Sequence, residues 1–221
     1  MLQQTEIGVN RTGMDLEPDA AAKMLENIEL TKPSSKGDEQ AIGRMRGEYI
    51  AEAEPVGTIP DGNGMDAMFT DKLGERLAFE RAGTRLYDAL LAKCRATPDC
   101  GLDIEEVQEH RDEEAEHFAL VGAAIQSLGG DPTAQTPSAD VSGMEGAGLM
   151  QVLTDPKTTV AQALHAILVA EMTDNAGWEE LIGLAKAAGA KDLVGRFEKA
   201  LDTEREHLEE VRAWYRSLSG K

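Results

Sequence analysis

The stretch Leu193–Leu218, LVGRFEKALDTEREHLEEVRAWYRSL, contains the pattern that decides the fold. Its apolar side chains recur at alternating steps of three and four residues, which is the spacing of inward-facing side chains in a left-handed helical bundle. Glu204 and His207 lie on this inward seam, where apolar residues are expected. The run Glu204-Arg205-Glu206-His207 therefore predicts a carboxylate and an imidazole on the buried face of a helix.

Three further segments show the same spacing, and together they predict four long helices at about residues 66–95, 103–128, 158–187 and 190–217. Aromatic residues make up only 4% of the chain, and runs of period-two alternation are absent, so strands are not expected. The predicted fold class is all-α. Each of the other three seams also carries polar residues near its middle: Glu80 on the first, Glu114 and His117 on the second, and Glu171 on the third.

The lengths of the connections predict how the helices are arranged. A few residues around Thr97–Gly101 join the first pair, and Ala188-Gly189 joins the second pair, so each pair is an antiparallel hairpin. About thirty residues separate the two hairpins, which is enough chain to run the length of a bundle. We therefore predict a four-helix bundle with one long crossover, and a short helix near Gly146–Leu153 within that crossover.

The two hairpins look like copies of one unit. Glu80 and Glu114 are 34 residues apart, and Glu171 and Glu204 are 33 residues apart. The run Glu114-Ala115-Glu116-His117 matches Glu204-Arg205-Glu206-His207. Four glutamates and two histidines should therefore converge at one level of the bundle. Because buried carboxylates without partners cost several kcal/mol each, this convergence predicts bound cations.

Residues 66–217 resemble the ferritin-like di-iron carboxylate proteins, and the rubrerythrin-type core is the closest form. That family takes one Glu from each of two helices and a Glu-x-x-His from each of the other two. The resemblance implies a ferritin-like four-helix bundle holding two iron ions, or alternatively two manganese ions. It implies that Glu114 and Glu204 bridge the metals and that each histidine binds one of them. The implied ligands are Glu80, Glu114, His117, Glu171, Glu204 and His207.

Residues around this set have weaker predicted roles. Asp174, one turn after Glu171, is either a seventh metal ligand, as in rubrerythrins, or an exposed side chain. Tyr87 is either a catalytic hydroxyl beside the metals, as the resemblance implies, or a core residue. Glu113 is either an exposed residue or a carboxylate that orients a ligand histidine. For His110 we expect a buried imidazole that is satisfied by a hydroxyl group.

The predicted function is a di-iron oxidoreductase of the peroxidase or ferroxidase type that reacts with hydrogen peroxide or O2. A manganese catalase-like enzyme and an iron storage or handling protein are the alternatives. The only cysteines are Cys94 and Cys100, so the chain has no rubredoxin module with Cys-x-x-Cys pairs. Electrons would therefore come from an external donor or from ferrous iron itself. The resemblance also suggests a homo-dimer or larger homo-oligomer.

The net charge and the N-terminal part of the chain allow further predictions about partners, location and domains. A formal net charge of −19 disfavours nucleic acid and anionic membranes as partners. No signal peptide is evident, so a cytoplasmic location is expected. We predict two regions, an N-terminal arm at residues 1–65 and the bundle at residues 66–221. The arm carries two candidate helices, at about Pro18–Leu30 and Asp38–Ala53.

Overall fold

The computed structural model describes residues 67–220, which form five helices and no strand. The all-α prediction is therefore confirmed for this part of the chain. The predicted N-terminal arm, with its two candidate helices, lies outside the described residues. None of the five helices is long and apolar enough to cross a membrane. The helices are α1 (Ala67–Ala96), α2 (Ile104–Ser127), α3 (Pro137–Thr154), α4 (Val160–Ala187) and α5 (Lys191–Ser219).

Capping residues explain where three of the helices begin. The Asp103 side chain accepts a hydrogen bond from the Glu105 amide at the start of α2. Thr136 caps α3 and is followed by Pro137, whose fixed φ suits the first position of a helix. Thr159 and Gln162 form a capping box at the start of α4. These contacts satisfy backbone N–H groups that have no partner within the helix.

Short turns produce the two predicted antiparallel pairs. Helix α1 packs along α2, and α4 packs along α5. Between α4 and α5, the backbone reverses at Gly189 with φ +71°, a value that glycine adopts without steric cost. Between α1 and α2, Asp99 (φ 54°) and Gly101 (φ 80°) make the reversal. The short links at 97–103 and 188–190 therefore connect neighbouring helices, as their lengths predicted.

The crossover differs from the prediction, because it contains an 18-residue helix rather than a short one near Gly146–Leu153. The glycines at positions 143, 146 and 148 have low helix propensity, so the sequence by itself did not predict a longer helix here. Tertiary packing overrides that preference, since α3 lies along α1 and also contacts α4. A Cβ added at Gly146 would be 3.3 Å from the Ala82 Cβ, so this glycine allows the two helices to approach closely.

Two apolar clusters fill the interior and leave a polar layer between them. One cluster surrounds Trp178 and Phe197, whose ring centroids are 5.4 Å apart. The other surrounds Leu90 and Leu164. On each long helix, the predicted polar seam residues lie between the residues of these two clusters. The bundle thus places the candidate site in the middle of its length, where water is excluded.

Candidate metal centre

The structure brings the six predicted ligands together in the polar layer. They come from four different helices, and none of them is more than 7% exposed. Glu80 lies on α1 and Glu171 on α4, while α2 and α5 each contribute a glutamate and a histidine one turn later. The set consists of Glu80, Glu114, His117, Glu171, Glu204 and His207.

Glu204 lies between the two histidines. Its Oε1 atom contacts Nδ1 of His117. Its Oε2 atom is 3.2 Å from Nδ1 of His207. Because each oxygen faces a different imidazole, this carboxylate has the orientation that a ligand shared by two metal ions requires.

The ligand atoms form overlapping groups, in each of which all atoms lie within 4.8 Å of one another. Glu204 belongs to every group found among residues 67–220, and Glu114 and Glu80 each belong to two. The overlap fits two neighbouring cation positions that share carboxylates. The groups are Glu114–Glu171–Glu204–His207, Glu80–His117–Glu204 and Glu80–Glu114–Asp174–Glu204.

Three of the buried glutamates in this layer have an oxygen without a hydrogen-bond donor. Oε2 of Glu80 accepts no hydrogen bond from the described residues. The same holds for Oε2 of Glu114 and Oε2 of Glu171. Buried acceptors without donors are costly, and divalent cations with oxygen and imidazole ligands would satisfy them. The donor set therefore fits a pair of divalent metal ions such as iron or manganese.

Without metal, the carboxylates repel one another. Burial raises the pKa of Glu80 well above its usual value, and the charge of Asp174 raises it further. Burial also raises the pKa of Glu171 well above its usual value, helped by the charges of Glu204 and Glu114. Ionising all of these groups at once in a dry layer is unfavourable. Bound cations would lower each of these pKa values, because they stabilise the ionised form.

Glu204 and His207 show the opposite behaviour. Burial disfavours the ionised form of Glu204, but its contacts with His117 and His207 outweigh that effect and lower its pKa to about 2. Burial likewise disfavours protonated His207, but contacts with Glu114 and Glu204 raise its pKa to about 12. In the metal-free protein, His207 therefore supplies a positive charge in a region suited to a metal ion.

The outer nitrogen of His207 is held by a carboxylate. Its Nε2 atom is 2.7 Å from Oε2 of Glu113, on the neighbouring helix α2. With Nε2 engaged, Nδ1 is directed towards Glu204 and Glu114. A carboxylate on the far nitrogen fixes the ring and its tautomer, as is usual for histidines that bind metals. Of the two interpretations offered for Glu113, the structure favours the orienting one.

Tyr87 connects the cluster to the surface through a line of hydrogen bonds. Its hydroxyl donates to Oε1 of Glu171 and is 3.2 Å from Nδ1 of His110. The other ring nitrogen of His110, Nε2, is 2.7 Å from Oε2 of Glu210. The Glu210 side chain is 55% exposed, whereas Tyr87 is 1% exposed. His110 is thus a buried histidine in contact with a hydroxyl, as expected, and Glu210 is an additional partner that the sequence did not indicate.

Arg76 is the polar residue of this layer that the sequence analysis missed. It is only 4% exposed, and its Nε atom is 2.9 Å from Oε1 of Glu80. Asp174 is also buried, and its Oδ1 atom is 2.8 Å from an Arg76 terminal nitrogen. One signal could have revealed Arg76: it lies one turn before Glu80, between Leu73 and Leu77 on the apolar stripe of α1.

The two cysteines lie at the end of the bundle, away from the polar layer. Cys94 is buried and Cys100 is half-buried in the turn before α2, and both are free thiols. Burial, together with a hydrogen bond to Cys100, raises the pKa of the Cys94 thiol to about 12. A thiol protonated to that extent is a poor nucleophile.

Comparison with known proteins places this geometry in a family. Residues 70–220, well over half of the chain, match the family model described as ferritin-like domain. The matched region begins within the first described helix and includes every residue of the polar layer. The chain matches none of the curated proteins and none of the solved structures with which it was compared.

Proposed function

The chain belongs to the ferritin-like family, and from that premise we propose that it is a di-iron oxidoreductase that reacts with hydrogen peroxide or O2, of the peroxidase or ferroxidase type. The observation that carries this proposal is the group of four buried glutamates around two histidines, in which Oε2 of Glu80, Glu114 and Glu171 has no hydrogen-bond donor among the described residues. Soluble proteins rarely keep such a group unless it holds cations. Oxygen-rich ligands with two imidazoles suit iron(II), and also manganese(II).

The six buried side chains would divide between two ions. His207 and Glu171 would hold one ion, and His117 and Glu80 the other, while Glu114 and Glu204 would be shared by both. When bound, a pair of iron ions supplies the redox chemistry, and the protein supplies geometry and a dry site. Within the family, we propose a rubrerythrin-type core, supported by the two Glu-x-x-His runs and by the Tyr87 contact with Glu171.

Protons for the reaction would pass along the line from Glu210 to Tyr87. Reduction of hydrogen peroxide to two waters consumes two protons and two electrons. Glu210 lies at the surface, and His110 contacts both Glu210 and Tyr87. The Tyr87 hydroxyl donates a hydrogen bond to Glu171. Burial and the neighbouring Glu171 raise the pKa of Tyr87 well above its usual value, so its hydroxyl keeps its proton at neutral pH. We propose that the electrons come from ferrous iron or from an external donor protein.

The first experiment is metal analysis of the protein after expression in medium rich in both iron and manganese. We expect about two irons per chain. The reduced, anaerobic protein should then consume added hydrogen peroxide, with a change in near-UV absorbance as the iron is oxidised. Two manganese ions with release of O2 gas would instead indicate a catalase-like enzyme. Many irons per chain, retained in a large assembly, would indicate storage. A protein that binds no metal would refute the proposal.

Replacing Tyr87 with phenylalanine tests the proton line. We expect Tyr87→Phe to keep about two irons per chain but to reduce peroxide roughly tenfold more slowly or worse, because the link between His110 and Glu171 is lost. The matched control is Tyr215→Phe, on α5, whose ring lies 5.7 Å from the exposed His165 rather than in the polar layer. Equal rates in the two variants would show that Tyr87 serves only as packing.

A further inference from the structure

A buried guanidinium group lies at one end of the polar layer. Arg76 projects from α1 towards α4, and one of its terminal nitrogens is 2.8 Å from Oδ1 of Asp174. The same nitrogen donates a hydrogen bond to the Asp174 main-chain carbonyl, at 3.0 Å. The Nε atom is 2.9 Å from Oε1 of Glu80. Arg76 thus holds Asp174 at two atoms and Glu80 at one.

The surroundings are shaped to hold this group. The guanidinium carbon lies 4.3 Å from the centroid of the Phe79 ring and 5.5 Å from that of Trp178. A Cβ added at Gly177 would be only 2.6 Å from the Arg76 terminal nitrogen, so the absence of a side chain at that position leaves the space that Arg76 fills. Aromatic faces attract a guanidinium group, which makes this position favourable for a cation.

Among the buried Arg, Asp and Glu side chains of residues 67–220, only Arg76 and Asp174 have no counterpart in the internal repeat. Aligning Glu80 with Glu171 puts Arg76 of the first copy opposite Ile167 of the second, because each lies four residues earlier. Asp174, three residues after Glu171, corresponds to Gly83 in the first copy. Each hairpin therefore has one buried residue of this kind that the other lacks, and the two extra charges are opposite and in contact. An ion pair that was added to an already duplicated site would have this arrangement, with one partner in each hairpin.

The charges of the layer agree with such a pair. Among residues 67–220, five carboxylates and one guanidinium are buried, namely Glu80, Glu114, Glu171, Asp174, Glu204 and Arg76. If Arg76 and Asp174 neutralise each other, four carboxylates are left, and their charge equals that of two divalent ions. If instead Asp174 bound a metal ion, that ion would lie close to the guanidinium in a dry site, where repulsion is strong.

We propose that Asp174 is the counter-ion of Arg76 rather than a metal ligand, and that this pair leaves four buried carboxylates whose charge balances two divalent ions. This inference rests on the proposed function, since it concerns the same site. It makes Arg76 a positioning residue, which acts on the metal site through Asp174. This role differs from both roles that the sequence predicted for Asp174, a seventh ligand and an exposed side chain.

A double-mutant cycle in metal binding tests the proposal. The variants are Arg76→Met, Asp174→Asn and the double variant, and the probe is manganese(II), added without oxidant and followed by titration calorimetry. We expect Arg76→Met to bind manganese roughly tenfold more tightly or better, because a nearby positive charge is removed. Asp174→Asn should bind more weakly, since an unpaired guanidinium then faces the ions. The double variant, in which the pair is neutral, should bind two ions with an affinity within about threefold of the wild type.

A control variant and a direct comparison of the double variant with the wild type make the binding result interpretable. Lys72→Met with Glu75→Gln removes a partly exposed ion pair from the same helix and should leave manganese binding unchanged. If Asp174→Asn does not fold, comparing the double variant with the wild type still decides the question. A double variant that binds at least tenfold more weakly, or only one ion, would show that Asp174 is a ligand and overturn the proposal.

The same proteins separate this inference from the proposed function. If the wild type binds manganese but the double variant does not, only the role of Asp174 is wrong. If the wild type binds neither manganese(II) nor iron(II), the proposed function fails. Thermal unfolding of the four metal-free proteins then decides whether the ion pair exists. Single variants that are each less stable than the double variant would show the pair, and additive effects would refute it.

Discussion

Replacing Glu204 with glutamine should abolish tight binding of both metal ions. Glu204 belongs to every group of possible ligands in the described residues, and its two oxygens face the two histidines. A glutamine keeps the size of the side chain but loses the negative charge and offers only one good ligand atom. Each of the two proposed metal positions would therefore be affected by this one substitution.

The effect of Glu204→Gln should appear as a lost thermal shift. A free metal concentration one hundred times Kd stabilises a protein by about 2.7 kcal/mol per ion. Two ions then raise Tm by roughly 10–20 °C in a bundle of this size. We expect that shift in the wild type and little or none in Glu204→Gln. The matched control is Glu206→Gln, in the same four-residue run but on the exposed face of α5, which should keep the full shift. A full shift in Glu204→Gln would refute a shared site at this residue.

The metal-free protein should become less stable as the pH rises from about 5 to 8. The pKa values of Glu80 and Glu171 are both raised well above their usual values, with burial as the largest cause. A group with a raised pKa in the folded state stabilises the protein below its unfolded pKa, and that stability is lost as the pH rises towards the folded pKa. The loss thus begins at about pH 4–5. It reaches at most about 1.4 kcal/mol per pH unit for each group.

His207 and Glu204 set the rest of the pH profile. The pKa of His207, raised to about 12 chiefly by Glu114 and Glu204 against the effect of burial, adds to the loss above pH 6.5. Glu204, whose contacts with His117 and His207 overcome burial and lower its pKa to about 2, contributes stability that is lost as the pH falls below about 4.5. The metal-free protein should therefore be most stable in mildly acidic solution.

Chemical denaturation across the pH range, with and without manganese(II), measures this profile. Adding manganese should reverse the slope between pH 5 and 8, because metal ions bind the ionised carboxylates and compete with protons. Glu171→Gln should flatten the metal-free profile, since it removes one of the retained protons. Glu179→Gln, on an exposed position of the same helix, should leave the profile unchanged. A metal-free protein whose stability rises from pH 5 to 8 would contradict the buried cluster.

The positions of the six proposed ligands were predictable because a helix converts spacing along the chain into direction in space. Glu114 and His117, three residues apart on a seam of apolar residues, had to point into the same interior. The nearly equal spacings in the two hairpins put all six side chains at one level. The structure brings them together as expected, and their role as metal ligands stays a prediction. The ferritin-like family is shown by the match over residues 70–220.

The length of α3 and the role of Arg76 were not predictable in this way. Glycines at 143, 146 and 148 lower the helix propensity of the crossover, and only packing against α1 makes a long helix there favourable. Arg76 appeared as one basic residue near an apolar seam. Its partner Asp174 is 98 positions away and on another helix, so no local pattern connects them.

Periodic spacing, connection lengths and the duplicated Glu-x-x-His runs were sufficient to determine the class of fold, the order of the hairpins and the six proposed ligands in the polar layer. These are properties of single helices and of short turns, which depend on neighbouring residues along the chain. Only the tertiary structure decided which side chains are paired across helices: Glu113 with His207, Glu210 with His110, and Arg76 with Asp174. Such pairs depend on how separate helices are rotated and how closely they approach. Both are set by the packing of the whole core, and no single segment of the sequence encodes them.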